Sequence, residues 1–134
     1  MLDPDGRLES YMLNGDKIYV EDLRINATIG IFDWEKKIKQ EVSISYEIPH
    51  DNKKAAAADT IEATTDYKSI TKAIIAYVEN NKFELVETFA EKIAEMVIKD
   101  FNIEEIRLRV SKPGALRFSK DVGVIIERNK KSYE

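Results

Sequence analysis

Residues 42–48 read Val-Ser-Ile-Ser-Tyr-Glu-Ile, and this stretch decides the fold. Its apolar side chains alternate with polar ones over a whole strand length: Val42, Ile44, Tyr46 and Ile48. A period of two predicts a β-strand with one buried and one polar face. Pro49 predicts the end of this strand, because proline cannot donate a hydrogen bond to a sheet.

Similar patterns lie on both sides of this strand. Residues 106–110 and 122–126 carry apolar side chains at alternate positions, and residues 111–117 between them contain Pro and Gly, which predicts a loop. Upstream, residues 17–25 are rich in β-branched residues, and the apolar spacing slips between Val20 and Leu23, which predicts a β-bulge. The next segment, residues 28–34, contains a glycine.

Two helices are predicted between the early and the late strands. Residues 66–80 place their apolar side chains on one helical face, and Thr65 or Asp66 is a suitable N-cap. Residues 84–100 show a second apolar stripe. Residues 51–63 are polar and alanine-rich, which predicts a loop with at most a short helical turn. The chain is therefore predicted to be α+β, with one four-stranded antiparallel sheet and both helices on one face.

This arrangement leaves one polar sheet face and two open edges. The polar face would carry Ser43, Ser45, Glu47, Arg107 and Arg109. Open edges favour aggregation unless another chain covers them. We therefore expect a homo-oligomeric ring joined edge to edge, with the polar faces turned toward a lumen.

Composition excludes several classes of function. The chain has 134 residues, a net charge of −4, no cysteine and one histidine. Disulfides, iron–sulfur clusters and thiolate zinc sites are excluded, and a catalytic zinc usually takes two or three histidines. The acidic balance does not favour nucleic acid, and no apolar run is long enough to cross a membrane. We expect a cytoplasmic protein without metal or cofactor, with a flexible extension at residues 1–15, one domain at residues 16–129 and a solvated tail at residues 130–134.

Four side chains are candidates for chemistry, although each alone is more often a packing or solvated residue. Glu35 follows an aromatic pair, and Glu87 opens the second helix, where a carboxylate accepts two parallel N–H bonds from an amidine-like edge. Lys112 precedes a Pro-Gly turn, and a lysine desolvated in a pocket trades protons near neutrality. Tyr67 opens the first helix. The single histidine, His50, is assigned no role.

Taken in order, several segments resemble bacterial dihydroneopterin aldolases. They are Ile29-Gly-Ile-Phe-Asp-Trp-Glu35, Asp66-Tyr67, Leu85-Val-Glu-Thr-Phe-Ala-Glu91, Ser111-Lys-Pro-Gly-Ala115 and Val122-Gly-Val-Ile-Ile-Glu-Arg128. Each piece is weak alone, and the combination, from Asp16 to Arg128, is specific. The resemblance implies the tunnelling fold, in which four-stranded subunits form a tetrameric barrel and two barrels stack into an octamer.

The resemblance also implies a reaction and a set of roles. 7,8-Dihydroneopterin would undergo retro-aldol cleavage to 6-hydroxymethyl-7,8-dihydropterin and glycolaldehyde, a step of folate synthesis, with the C6=N5 imine of the substrate accepting electrons. Lys112 would be the general acid/base, Tyr67 would help protonate the enol intermediate, and Glu35 would be a pocket carboxylate. Glu87 would anchor the pterin, with backbone contacts from Val86.

The same resemblance places the site between subunits and leaves two alternatives open. Thr65 and Tyr67 would meet Glu87 and Lys112 of another chain. One alternative is the sister epimerase that acts on dihydroneopterin triphosphate, and epimerisation at C2′ is also an expected side activity of the aldolase. The other alternative is a catalytically silent ring that binds pterins.

Overall fold

The computed structural model describes residues 15–134, so the predicted N-terminal extension lies, except for Gly15, outside the described residues. The strands are β1 Lys17–Ile29, β2 Gln40–Pro49, β3 Lys82–Phe83, β4 Glu105–Pro113 and β5 Asp121–Asn129. The α-helices are α1 Asp33–Lys36, α2 Asn52–Ala58, α3 Tyr67–Glu79 and α4 Val86–Asp100. Two 3-10 helices cover Ile61–Ala63 and Lys130–Tyr133.

The strands form one sheet in the order β3-β1-β2-β4-β5. The four long strands pair antiparallel, as the alternation predicted. The two-residue β3 is a fifth strand that the sequence did not predict, and it pairs parallel with Thr28 and Ile29 at the end of β1. A strand of two residues shows no alternation of apolar and polar side chains, so this strand is recognised only from its pairing with β1.

The core lies between one face of the sheet and the helices α3 and α4. The alternating side chains of β2 are 0–1% exposed at Val42, Ile44, Tyr46 and Ile48. The helices bury the stripe predicted for them, with Ile70, Ile74 and Val78 on α3 and Phe89, Ala90, Ile93, Ala94 and Val97 on α4. Both helices contact the sheet and each other, which confirms the α+β architecture.

The helix ends follow the capping preferences of short polar side chains. Asp66 caps α3, because its side chain accepts a hydrogen bond from the Ser69 backbone N–H. The register of β1 against β2 shifts between Val20 and Leu23, which confirms the predicted bulge. Asp22 in this bulge has a φ of 59°, and its backbone N–H donates to Ser45 Oγ.

Three predicted segments need correction. Ser111, Lys112 and Pro113 were predicted as a loop, but they pair with residues 121–123 and belong to β4. Residues 52–58 form a seven-residue helix, and the Asp51 side chain caps it by accepting a hydrogen bond from the Lys54 N–H. The predicted tail is instead a 3-10 helix, and Tyr133 Oη donates to Glu91 Oε1 at 2.7 Å.

The second face of the sheet is polar. Arg107 forms ion pairs with Glu47 and Glu127, and Arg109 pairs with Asp121. This face borders an open cavity of about 620 Å³. Among residues 15–134, no helix combines the length and the apolarity needed to cross a bilayer.

Candidate active site

Glu35 is buried on the short helix α1, immediately beyond the end of β1. Its Oε1 accepts a hydrogen bond from the Phe32 backbone N–H at 3.2 Å. This bond lowers the pKa of Glu35 below its ordinary value, and the Gln40 side chain and the charge of Lys112 lower it further, against the opposing effect of burial. Glu35 is therefore a carboxylate at neutral pH, although its side chain is only 12% exposed.

Lys112 forms an ion pair with Glu35 at the edge of the hydrophobic core. Its Nζ lies 3.7 Å from Glu35 Oε2, and its side chain is 17% exposed. The alternation of β4 explains this direction, because Lys112 continues the row of Ile106, Leu108 and Val110, which face the helices. The structure therefore brings together two of the predicted site residues as a largely buried ion pair.

The start of α4 lies at the same end of the sheet. The Gly30 backbone N–H donates to the Phe83 carbonyl at 3.0 Å, and Lys36 Nζ lies 3.6 Å from Glu84 Oε1. Three residues after Phe83, Val86 begins α4 half-buried, and Glu87 is exposed in its first turn. The first turn of a helix carries free N–H groups and favours negative charge, which suits a polar ligand edge.

Thr65 lies at the other end of the sheet, and Tyr67 contacts a side chain from the middle of β2. Tyr67 begins α3 and is 49% exposed, and its carbonyl accepts a hydrogen bond from Tyr46 Oη at 3.3 Å. The Thr65 backbone N–H donates to His50 Nε2 at 3.2 Å, just after the end of β2. Thr65 also lines an open cavity of about 550 Å³.

The pairing register separates these two groups within one chain. Lys112 follows Ser111, which pairs with Ser43, whereas His50, the partner of Thr65, follows Pro49. The stretch of β2 from Ser43 to Pro49 spans about 20 Å. One chain therefore does not bring Thr65 to the Glu35–Lys112 pair.

Sequence reasoning missed three residues that support the site. Gln40 donates from Nε2 to the Ile29 carbonyl at 2.9 Å, beside Glu35. Gly30 has a φ of 151°, and a Cβ at this position would overlap the Glu35 side chain. His50 holds Thr65. Of these three contacts, only the one between Gly30 and Glu35 joins residues close enough in sequence to be suspected from the sequence. The contacts of Gln40 and His50 join distant segments.

In residues 15–134, no three His, Asp or Glu side chains cluster in a way that would hold a metal ion.

The comparisons with known proteins decide the family. The model of the FolB dihydroneopterin aldolase family matches residues 18–127. The dihydroneopterin aldolase of Escherichia coli K12 is 40% identical over 113 residues, which are 84% of this chain and 93% of that protein. This chain belongs to the dihydroneopterin aldolase family.

A solved structure and a second relative are also similar to this chain. A crystal structure of E. coli dihydroneopterin aldolase in complex with neopterin is similar to this chain, with a TM-score of 0.81 and 39% identity, over 85% of this chain and 99% of that one. The dihydroneopterin triphosphate 2′-epimerase of Pseudomonas aeruginosa is 36% identical over 82% of this chain and 89% of that protein. The relatives of this chain thus include an aldolase and, at lower identity, an epimerase.

Proposed function

We propose that this chain cleaves 7,8-dihydroneopterin by a retro-aldol reaction to 6-hydroxymethyl-7,8-dihydropterin and glycolaldehyde. The observation that carries the proposal is the largely buried Glu35–Lys112 pair, with Oε2 and Nζ 3.7 Å apart, in a chain 40% identical to a named aldolase. A proton-transfer group held in a partly desolvated site is what this reaction requires from the protein.

The reaction needs proton transfers and an electron sink. A base removes the proton of the C2′ hydroxyl, the C1′–C2′ bond breaks, and its electrons move into the C6=N5 imine as N5 takes a proton. Glycolaldehyde leaves, and protonation at C1′ with loss of the N5 proton restores the C6=N5 imine and completes the product. Because the substrate supplies its own sink, the protein needs neither a lysine imine nor a metal for this step.

Each predicted residue has a place in this scheme. Lys112 exchanges protons with N5 and the reacting side chain, and Glu35 holds the ammonium group in place by charge attraction and closes the pocket beside it. Glu87 accepts N–H bonds from the 2-amino group and N3 of the pterin, and the Val86 backbone contacts the ring. Tyr67 protonates the enol intermediate.

The site is completed by a second copy of the chain. The register places Thr65 about 20 Å from the Glu35–Lys112 pair along β2, too far for one small heterocycle to touch both within a subunit. Exposed apolar side chains near both sheet edges provide contact surfaces, namely Phe32, Trp34, Leu116, Phe118 and Ile125. A ring of subunits joins Thr65 and Tyr67 of one copy to Glu87 and Lys112 of its neighbour.

Epimerisation at C2′ is a second activity of the same site. The observation that favours it is the 36% identity to an epimerase, only slightly below the 40% to an aldolase. The same intermediates serve both reactions, because C1′ of the enol can re-form its bond to C2′ on the opposite face of the glycolaldehyde carbonyl.

One assay separates these activities. The purified protein is incubated with a chelator and either 7,8-dihydroneopterin or its triphosphate, and glycolaldehyde and the C2′ isomers are quantified. We expect glycolaldehyde from the free diol. Isomer without cleavage would indicate an epimerase, and binding without either product would indicate a catalytically silent ring.

Substitutions of Lys112 and Glu87 should affect different kinetic parameters, kcat for Lys112 and KM for Glu87. We expect Lys112→Ala to bind neopterin and lose about a hundredfold or more of kcat, because a proton-transfer group is missing. Glu87→Ala should mainly raise KM, because it loses an anchoring carboxylate. Matched controls are Lys120→Ala in the following turn and Glu95→Ala on the outer face of α4. Full turnover in Lys112→Ala would refute the proton role.

A further inference from the structure

We propose that His50 is a positioning residue, which fixes the Thr65 backbone for pterin binding by accepting its N–H at Nε2. The proposal rests on the proposed function, because Thr65 acts on substrate only if the site binds a pterin. His50 is the single histidine of the chain, and it lies between the end of β2 and the start of α2.

His50 connects the end of β2 to two segments that are distant in sequence and to its near neighbour Asn52. Its backbone N–H donates to the Asp16 carbonyl at 3.1 Å, just before β1. Its ring Nδ1 lies 2.6 Å from Asn52 Oδ1 at the start of α2. Its ring Nε2 lies 3.2 Å from the Thr65 backbone nitrogen, in the loop that leads into α3.

The hydrogen-bond partners determine the tautomer of the ring. A backbone N–H is always a donor, so Nε2 must be the acceptor toward Thr65. Asn52 Nδ2 donates to the Lys17 carbonyl, which turns Asn52 Oδ1 toward the ring. Nδ1 therefore carries the proton, and the Nε2 lone pair is directed at the Thr65 N–H, with Thr64 Oγ1 3.4 Å from the same atom.

The hydrogen bond from the Thr65 N–H to His50 Nε2 restrains Thr65 more than it restrains Tyr67. The Tyr67 end of α3 is held separately, because Asp66 Oδ1 accepts from the Ser69 N–H at 2.9 Å and Tyr46 Oη donates to the Tyr67 carbonyl. One link remains, from the Tyr67 N–H to the Thr65 carbonyl at 2.9 Å. Loss of the His50 bond therefore loosens Thr65 while Tyr67 keeps its own anchors.

Two substitutions of His50 distinguish the effect of losing the hydrogen-bond acceptor from the effect of losing the imidazole ring. Glutamine places its amide oxygen about where Nε2 lies, so His50→Gln keeps an acceptor for Thr65. Asparagine is polar but reaches only as far as Nδ1, so His50→Asn removes the acceptor. The two substituted side chains carry the same amide group and differ in length by one methylene.

The kinetic test is a split between KM and kcat for 7,8-dihydroneopterin cleavage. We expect His50→Asn to raise KM roughly five- to tenfold, the effect of one lost hydrogen bond, with kcat within about twofold of wild type. His50→Gln should restore KM to within about threefold of wild type. Equal KM values in the two variants would overturn the proposal, as would a loss confined to kcat.

An amide hydrogen-exchange measurement tests the same bond without turnover. The Thr65 amide should exchange roughly tenfold faster in His50→Asn than in wild type or His50→Gln. Unchanged Thr65 exchange in His50→Asn would overturn the proposal. If the wild-type protein releases no glycolaldehyde, the proposed function fails, and the exchange result still decides whether His50 holds Thr65.

Discussion

At the scale of single residues, the direction of the Glu35 carboxylate depends on a glycine five positions earlier. Gly30 follows β1 and has a φ of 151°, a conformation that L side chains rarely adopt. The Glu35 side chain fills the space where a Cβ would be. The carboxylate can fold back onto the Phe32 N–H and face Lys112 because residue 30 has no side chain.

We predict that Gly30→Ala displaces Glu35 and impairs both stability and catalysis. The added methyl group overlaps Glu35 and strains the backbone, so we expect a loss of about 1–3 kcal/mol in the free energy of unfolding. Cleavage of dihydroneopterin should fall with it. Urea denaturation and the glycolaldehyde assay measure the two effects.

Gly114→Ala is the matched control for Gly30→Ala. Gly114 has a φ of 70°, but a Cβ there meets nothing within 4 Å. This variant should therefore show only the backbone strain of about 1 kcal/mol. If both variants lose the same stability and the same activity, the contact between residues 30 and 35 is not the cause.

At the scale of elements, the last 3-10 helix is fastened to α4 by one cluster. Arg128 Nε and Nη2 both reach the Glu91 carboxylate, at 2.8–3.1 Å, and Tyr133 Oη donates to the same group. Arg128 and then Tyr133 lower the pKa of Glu91, and burial beside Glu91 raises the pKa of Tyr133. The charged carboxylate therefore joins the end of β5 and the final residues to α4.

This cluster predicts a pH-dependent stability. Because the folded pKa of Glu91 lies below its ordinary value of 4.5, its stabilisation is complete above that pH and is lost as pH falls through the lower folded pKa. Glu91→Gln should cost about 1 kcal/mol at pH 7, allowing for partial exposure, and less below pH 4. Urea unfolding from pH 7 to pH 3 measures this difference.

Glu95→Gln is the control for Glu91→Gln on the same helix. Glu95 pairs with Lys99 one turn away, and its side chain is 33% exposed. Such pairs contribute less than about 0.5 kcal/mol, so this variant should follow the wild-type curve. A constant difference between wild type and Glu91→Gln at every pH would show that the charge of Glu91 is not the stabilising feature.

At the scale of the whole molecule, Thr65 and the Glu35–Lys112 pair lie at opposite ends of β2. In the ring that we propose, Thr65 and Tyr67 of one copy would lie against Glu87 and Lys112 of the next copy. Two defective variants should therefore complement each other. Lys112→Ala and Tyr67→Ala, each nearly inactive alone, form some intact sites when their subunits mix.

The complementation experiment has a quantitative expectation. After refolding of an equal mixture, about a quarter of the sites in a ring receive both native residues, so the activity should approach that fraction of wild type. Sedimentation of the same sample reports the oligomer. If mixed assemblies form without regained activity, both residues of a site belong to one subunit. If the protein sediments only as a monomer at micromolar concentration, the proposed ring does not exist.

The sequence predicted the long elements and several neighbours of the site, but not the contacts between distant segments. Alternation at Val42–Ile48 and the stripes of α3 and α4 are local patterns, since each arises within one element. The strand β3, the strand character of Lys112 and the packing of Tyr133 depend on partners elsewhere in the chain. His50 was assigned no role for the same reason, because its partners are Asp16, Asn52 and Thr65.

By itself, the sequence determined the α+β class, the buried faces of the sheet and helices, and the family. These follow from periodicity and from short motifs, which are properties of neighbouring residues. Only the tertiary structure decided that Glu35 and Lys112 form a partly buried pair, that His50 holds Thr65, and that Thr65 lies far from that pair. The physical reason is strand register: a hydrogen-bonded pairing fixes which distant residues share an end of the sheet, and no local pattern encodes it.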